Sequence, residues 1–251
     1  MSEEGERIAK VMARAGLCSR REAETWVLSG RVTVDGRVLD SPAFNVRPGQ
    51  RIQVDGKALP AAEPARLFRY HKPKGLLTTS SDPEGRPTIY DNLPPDLPRL
   101  MPVGRLDLNS EGLLLLTNDG ALKRTLELPS TGWLRRYRVR AFGSVDERRL
   151  QDLAKGITVE GVSYGPVQAQ LDRVQGDNVW LLVALREGKN REVRKILNAV
   201  GLDVNRLIRT AYGPFQLGAL PKRAIEEVKG KVLKEQMGSL LAKSSAPARR
   251  R

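Results

Sequence analysis

The chain has 251 residues and carries 43 Lys and Arg against 29 Asp and Glu, a formal charge of +14 at neutral pH. At 40% hydrophobic and 29% charged, it has the composition of a globular chain rather than a disordered or collagen-like one, and it is long enough for one or two packed domains. The longest uninterrupted apolar run, Val179 to Leu185, falls far short of the roughly 20 residues a membrane-spanning helix needs. The acidic start, Met1-Ser-Glu-Glu-Gly-Glu6, is unlike a secretory signal or transit peptide, and a cytoplasmic protein is expected. One cysteine, Cys18, and one histidine, His71, exclude a disulfide framework and a Cys/His metal site. No P-loop or dinucleotide fingerprint follows an apolar strand, so no nucleotide cofactor is expected. The cationic excess points to a polyanionic partner, with nucleic acid ahead of a membrane surface.

In chain order, Ile8, Val11, Met12 and Ala15 recur at helical spacing up to Gly16, and Ser19-Arg-Arg-Glu22 is a capping box opening a second helix that ends near Gly30. Arg31 to Val38 alternates around Asp35-Gly36, a hairpin signal that Asp55-Gly56 repeats within Arg51 to Ala58. The aperiodic, Pro- and Ala-containing stretch Leu59 to Arg66 suits a linker, which divides the chain into residues 1–58 and 67–235. Arg136 to Phe142 alternates as a half-buried strand, with Tyr137, Val139 and Ala141 inward and Arg136, Arg138 and Arg140 on the other face. Ser144-Val-Asp-Glu147 caps a helix running to about Gly156, Val179 to Leu185 is a continuous apolar strand, and Arg191 to Val200 is a helix closed by Gly201. This is an α+β pattern. The lysine-rich end, finishing in three arginines, has few apolar groups, and residues 236–251 are expected to form a disordered basic tail.

Two segments carry candidate chemistry. Gly104-Arg-Leu-Asp107 lies in a loop ahead of the apolar tetrad Leu113 to Leu116, which ends in a turn at Asn118-Asp-Gly120. Asp107 therefore stands at the mouth of a buried strand, where a carboxylate can act as a catalyst or simply bond its own turn. In Glu187 to Lys195, helical spacing puts Arg191, Arg194, Lys195 and Asn198 on one side and Val193, Ile196, Leu197 and Val200 on the other. That cationic stripe is either a solvated face or a site for phosphate or carboxylate. Arg20, Arg21 and Arg31, at the start of the second helix and the turn after it, are phosphate contacts or plain surface. The lone His71, beside Lys72 and Pro73, reads as structural rather than catalytic.

Gly104 to Gly120 as a whole resembles the seventeen-residue active-site signature of the RsuA-type pseudouridine synthases. Tyr70 to Gly75 with Asp82 to Pro87, Arg136 to Val139, Glu187 to Gly201, and Arg206 to Arg209 with Tyr212-Gly213 agree with that family in order, and residues 5 to about 57 are similar to its S4 RNA-binding domain. The resemblance implies a small αα-β S4-like domain followed by a mixed α/β catalytic domain with a central antiparallel sheet. It implies that Asp107 is the catalytic aspartate, that Tyr137 packs on the target base, and that Arg194 pairs with the aspartate. Arg105 is a further candidate for the substrate, and Lys189 and Arg191 for RNA.

Isomerising uridine breaks the N1 to C1′ bond, turns the base while it is held, and rejoins it through C5, a reaction that calls for no cofactor, metal or redox partner. A carboxylate serves as nucleophile or as base, and a neighbouring arginine keeps it ionised. Details of the Asp82 to Pro87, Asn190 to Arg194 and Arg206 to Arg209 segments favour the branch acting on 23S rRNA over those acting on 16S rRNA or tRNA. A monomer is expected. A binding-only ribosome-assembly factor would have no use for the carboxylate, and a helix-turn-helix DNA reader does not lead directly into hairpins.

Overall fold

The computed structural model describes residues 5–244, the last six as backbone only, and the expected tail residues 245–251 lie outside it. The chain divides into two compact units: residues through Ala65 with Asp96–Met101 and Asn118–Gly120, and the rest. The first holds β1 (Glu6–Arg7), α1 (Ile8–Arg14), α2 (Arg20–Leu28), β2 (Val32–Val34), β3 (Arg37–Val38), β4 (Asn45–Val46), β5 (Ile52–Val54) and β6 (Lys57–Ala58). The capping box forms as its residues dictate: Ser19 Oγ accepts from Glu22 N, and the Glu22 carboxylate accepts from Ser19 N. The two Asp-Gly pairs both turn with positive φ, 51° and 82° at Asp35 and Gly36, 50° and 76° at Asp55 and Gly56. Each closes a hairpin, and β2 and β5 join them into the order β3-β2-β5-β6. Ile8, Met12, Ala23, Val27, Val32 and Val54 form this unit's core.

The second unit is built on β7 (Leu67–Lys72), β8 (Met101–Val103), β9 (Ser110–Thr117), α3 (Gly120–Glu127), β10 (Arg135–Phe142), α4 (Glu147–Asp152), β11 (Ile157–Val159), β12 (Val162–Tyr164), β13 (Val167–Gln175), β14 (Asn178–Leu185), α5 (Glu192–Ala199), β15 (Asp203–Tyr212), β16 (Phe215–Gln216), β17 (Ile225–Glu227) and α6 (Gly230–Ser244). One sheet runs β13-β14-β10-β15-β9-β7-β17, with β8 on β9 and β16 on β15. The central sheet is mixed rather than wholly antiparallel, because β9 and β15 run parallel, pairing Ser110 with Leu207, Glu111 with Ile208 and Gly112 with Arg209. The alternation of β10 places Tyr137, Val139 and Ala141 in a core with Leu181, Val183, Leu207, and Val193, Ile196 and Leu197 of α5. A second core, with Leu113, Leu115, Leu122, Leu126 and Tyr212, receives Ile208, which neighbours Leu207 on β15 and points to the other face.

Three local readings need correction. Asp146, not Ser144, caps α4 by accepting from Arg148 N and Arg149 N. The turn at Asn118 to Gly120 leads into α3 rather than simply ending a strand. Residues 236–244 belong to α6, and Met237, fully buried, fixes that helix to the second core. With the partly buried Leu233 it gives the helix an apolar side against that core.

Gly112 sets the seam between β9 and β15. Its φ is +104°, and a Cβ there would stand 2.2 Å from Arg209 O, a backbone atom that cannot move aside. Gly112→Ala is therefore expected to cost more than about 4 kcal/mol by denaturant unfolding. Gly104→Ala, with φ +68° and no atom within 4 Å of the added carbon, isolates the backbone strain and should cost only about 1 kcal/mol.

Candidate active site

Asp107 lies at the end of the loop that enters β9, where Ser110 N donates to Asp107 O at 3.0 Å and closes a turn. Its carboxylate is about one-third exposed and faces Arg191, with Arg191 Nη1 3.9 Å from Asp107 Oδ2. Arg191 is not the first residue of a helical stripe. It precedes α5 in a left-handed conformation, φ 50° and ψ 28°, and that turn aims its side chain back towards the β9 loop. A non-glycine residue held there is strained by about 1 kcal/mol or more.

The ion pair expected between Arg194 and Asp107 is thus made by Arg191 instead. Arg194 is half-buried and donates from Nη1 to Val204 O at 2.7 Å and from Nη2 to Asn109 O at 2.8 Å. It therefore clamps the loop carrying Asp107 to β15. Burial, then the charge of Arg191, lowers its pKa, while Asp107 and Asp203 oppose that shift. Asp107 thus acts on Arg194 as a nearby charge rather than as a bonded partner. Lys195 turns away to Glu160, 3.4 Å distant.

A second clamp escaped the sequence reading. Lys72, at the end of β7, is fully buried, and its Nζ donates to the carbonyl oxygens of Pro73 at 3.1 Å, Asp107 at 3.1 Å and Ser110 at 3.0 Å. An ammonium has three donors, and all three are used. Burial lowers its pKa to about 8, and the charges of Asp107 and Glu111 pull it partly back. The one signal was a lysine at a strand end beside proline, which says nothing of where the amine goes. Its neighbour His71 bonds Leu220 O through Nδ1 at 2.8 Å, a structural contact.

Glu111, also missed, is buried and accepts from Arg206 Nε at 2.9 Å and Lys222 Nζ at 3.0 Å. Burial raises its pKa, but those bonds outweigh it and hold the carboxyl below its ordinary value. Tyr137 is buried on β10, in register with Arg209 of β15, which pairs with Gly112 of β9. Tyr137 and Gly112 are thus two strands, about 10 Å, apart. Tyr137 also shares its core with α5, the helix that Arg191 precedes.

Among the remaining candidates, Arg105 is exposed on the β8–β9 loop. Lys189 pairs with Glu187 at 2.8 Å and donates to Ser163 O at 2.7 Å. Arg20 and Arg21 are exposed on the first turn of α2. Arg31 is held by Asp55 at 2.5 Å and lies over the Trp26 ring, 4.6 Å from its centre. Among the described residues, no group of three or more His, Cys, Asp and Glu side chains could hold a metal ion.

Asp107 on its clamped loop, Arg191 beside it and Tyr137 on β10 of the same sheet are the groups the fold brings to this region. Residues 6–52 match the S4 domain and residues 66–199 match the RNA pseudouridylate synthase family. An "Uncharacterized RNA pseudouridine synthase" of Rickettsia felis is 45% identical over 92% of this chain and 100% of its own. "Ribosomal large subunit pseudouridine synthase B" of Salmonella typhi is 45% identical over 84% of this chain and 75% of its own. A crystal structure of a pseudouridylate synthase aligns with a TM-score of 0.63 at 25% identity, over 92% of this chain and 99% of that one. The chain belongs to the RNA pseudouridylate synthase family, in its RsuA-type, S4-containing form, and is an isomerase of uridine in RNA.

Lys72 yields a pH test. Its folded pKa of about 8 lies below the ordinary 10.5, so between those values the unfolded chain binds more protons and stability from this group rises with pH. The stability of wild type relative to Lys72→Met should therefore grow from pH 7 to pH 10 by up to about 3 kcal/mol, measured by denaturant unfolding at both. A gap that narrows over that range sinks the assignment. At pH 7 the variant also leaves three carbonyls without their donor, and the loosened Asp107 loop should lower turnover on the order of 10²-fold.

Proposed function

We propose that the chain isomerises a specific uridine of 23S rRNA, with Asp107 as the catalytic residue. The observation that carries the substrate is the 45% identity, over 84% of this chain, to a protein named as a large-subunit ribosomal pseudouridine synthase. Support for Asp107 is its place: a part-exposed carboxylate beside Arg191, on a loop fixed from one side by Lys72 and from the other by Arg194. Both nucleophilic and basic roles call for a carboxylate, and Arg191 is a cation that faces it.

In this reading the target nucleotide leaves its stack and its base packs against Tyr137. Arg194 acts through the loop it clamps, and Arg105, Lys189 and Arg191 take the displaced backbone. Arg20, Arg21 and Arg31 of the S4 domain add affinity for flanking RNA. The N1 to C1′ bond breaks, the base turns, and C5 joins C1′ as its hydrogen leaves and N1 gains one. Composition is unchanged, so no co-reactant enters. The chain works as a monomer in the cytoplasm.

The test is to incubate wild type and Asp107→Asn with unmodified 23S and 16S transcripts and map pseudouridine by carbodiimide adducts and primer extension. A stop on 23S with wild type alone, with RNA binding by the variant largely retained, is the expected result. Product from Asp107→Asn would overturn the residue, and a stop on 16S alone would overturn the substrate.

A further inference from the structure

Strand β10 has two faces, and the active site uses only one. Tyr137, Val139 and Ala141 point towards α5, whereas Arg136, Arg138 and Arg140 point to the other side. On β14 the residues paired with those arginines are Ala184, Leu182 and Trp180, and on β13 Gln168, Gln170 and Arg173 continue the rows. The second core covers this side of the sheet near β9, but the part formed by β10, β14 and β13 is open, with Leu182 47% exposed.

We infer that this open face is a second RNA-binding surface, one that grips the phosphate backbone outside the reaction site. Successive arginines of β10 stand two residues, about 7 Å, apart, a regular row of cations along the strand. Of the face's arginines only Arg138 has a carboxylate partner, Asp172 at 2.9 Å; Arg136, Arg140 and Arg173 have none within 4 Å among the described residues. The guanidinium groups of Arg138 and Arg173 lie 4.7 and 5.7 Å from the Trp180 ring centre. Held over an aromatic face, a guanidinium keeps its donors directed outward at low entropic cost.

A second, independent observation points to an anionic ligand. Trp180 is only 8% exposed, and among the described residues its Nε1 is a buried donor without an acceptor; so is Arg140 Nε, on the residue paired with it across β10 and β14. Two unfilled donors beside unpaired guanidinium groups call for oxygen acceptors that also carry negative charge, which phosphodiesters supply. A hydrophobic or cationic partner would leave both the charge and the donors unsatisfied. The excess charge selects RNA in an enzyme whose substrate is RNA.

The test uses the full chain carrying Arg138→Gln with Arg173→Gln, compared with wild type on full 23S and 16S transcripts and on a short uridine-containing stem-loop across a salt series. Two lost phosphate contacts should reduce the slope of log affinity against log salt by between about 1 and 2 and weaken binding to long transcripts roughly tenfold at low salt. Turnover at saturating RNA should be unchanged, and the stem-loop, too short to reach both faces, should bind as before. Arg138→Lys with Arg173→Lys should restore the slope, which a merely structural role for these side chains would not predict. If the first pair fails to fold, Arg136→Gln with Arg173→Gln, both on exposed side chains, reads the same quantity. An unchanged slope on both transcripts in a folded variant overturns the surface, as does equal weakening on the stem-loop or retained RNA affinity with lost binding to vesicles of anionic lipid. Because binding is read on both rRNAs regardless of product, an error in the 23S assignment shows as product on the other transcript with the same change in slope.

Discussion

The second unit depends on a seam three residue pairs long. Its antiparallel ribbon β13-β14-β10-β15 and its other group, β9-β7-β17, are joined strand to strand by the parallel pairing of Ser110, Glu111 and Gly112 with Leu207, Ile208 and Arg209. Parallel pairs are somewhat weaker per residue than antiparallel ones, and this one is reinforced by side chains. Arg209 is buried and donates from Nε to Leu113 O at 2.8 Å, and Arg206 reaches across to Glu111. Gly112 permits the backbones to close to a distance no other residue allows. Because Asp107 lies three residues ahead of the seam and Tyr137 one strand beyond it, the seam fixes the separation between the proposed catalytic carboxylate and the aromatic ring.

Electrostatics then divides labour among residues that composition cannot tell apart. Lys72, Arg191 and Arg194 all surround the Asp107 loop, yet they act differently because they differ in burial and in donor geometry. Lys72 spends all its donors on carbonyl oxygens, so its charge is locked within the fold and its ionisation is costly. Arg194 has a planar fork, and two of its nitrogens bridge carbonyls 95 residues apart in sequence, those of Asn109 and Val204. Arg191 alone is half-exposed and directed at the carboxylate. Buried Lys72 and half-buried Arg194 hold the loop in position, and the more exposed Arg191 faces the carboxylate.

What could be read from the sequence was local. The capping box at Ser19 and Glu22, the Asp-Gly hairpins and the alternation of β10 are each decided by neighbours within a few residues, and each forms as its pattern dictates. The Gly104 to Gly120 signature likewise lies within one loop and strand, which is why Asp107 stood out. The rest depends on contacts between distant residues. No pattern in Leu113 to Leu116 says that the strand pairs in parallel with one about 95 residues later, or that the amine of Lys72 enters the Asp107 loop. Arg191 and Arg194 were indistinguishable on a helical wheel. A left-handed residue at the helix start removed Arg191 from that wheel altogether. Residues 236–244 of the lysine-rich end belong to α6 for the same reason, since Met237 finds its partners in a core made by other strands.

The alternation of β10 also explains how one sheet can serve chemistry and affinity without conflict. Reaction at a flipped base needs a dry, rigid wall, and the face bearing Tyr137 is closed by α5 and the residues around it. Grip on a long, highly charged RNA needs the reverse: cations that stay hydrated until phosphate replaces water. Placing both on one face would either wet the site or bury unpaired arginines at several kcal/mol each. Residues at odd and even positions of a strand point opposite ways, so Tyr137, Val139 and Ala141 pack against α5 while Arg136, Arg138 and Arg140 stand on the other face. The two sets are joined by a single backbone, and a change in affinity on one face need not disturb geometry on the other.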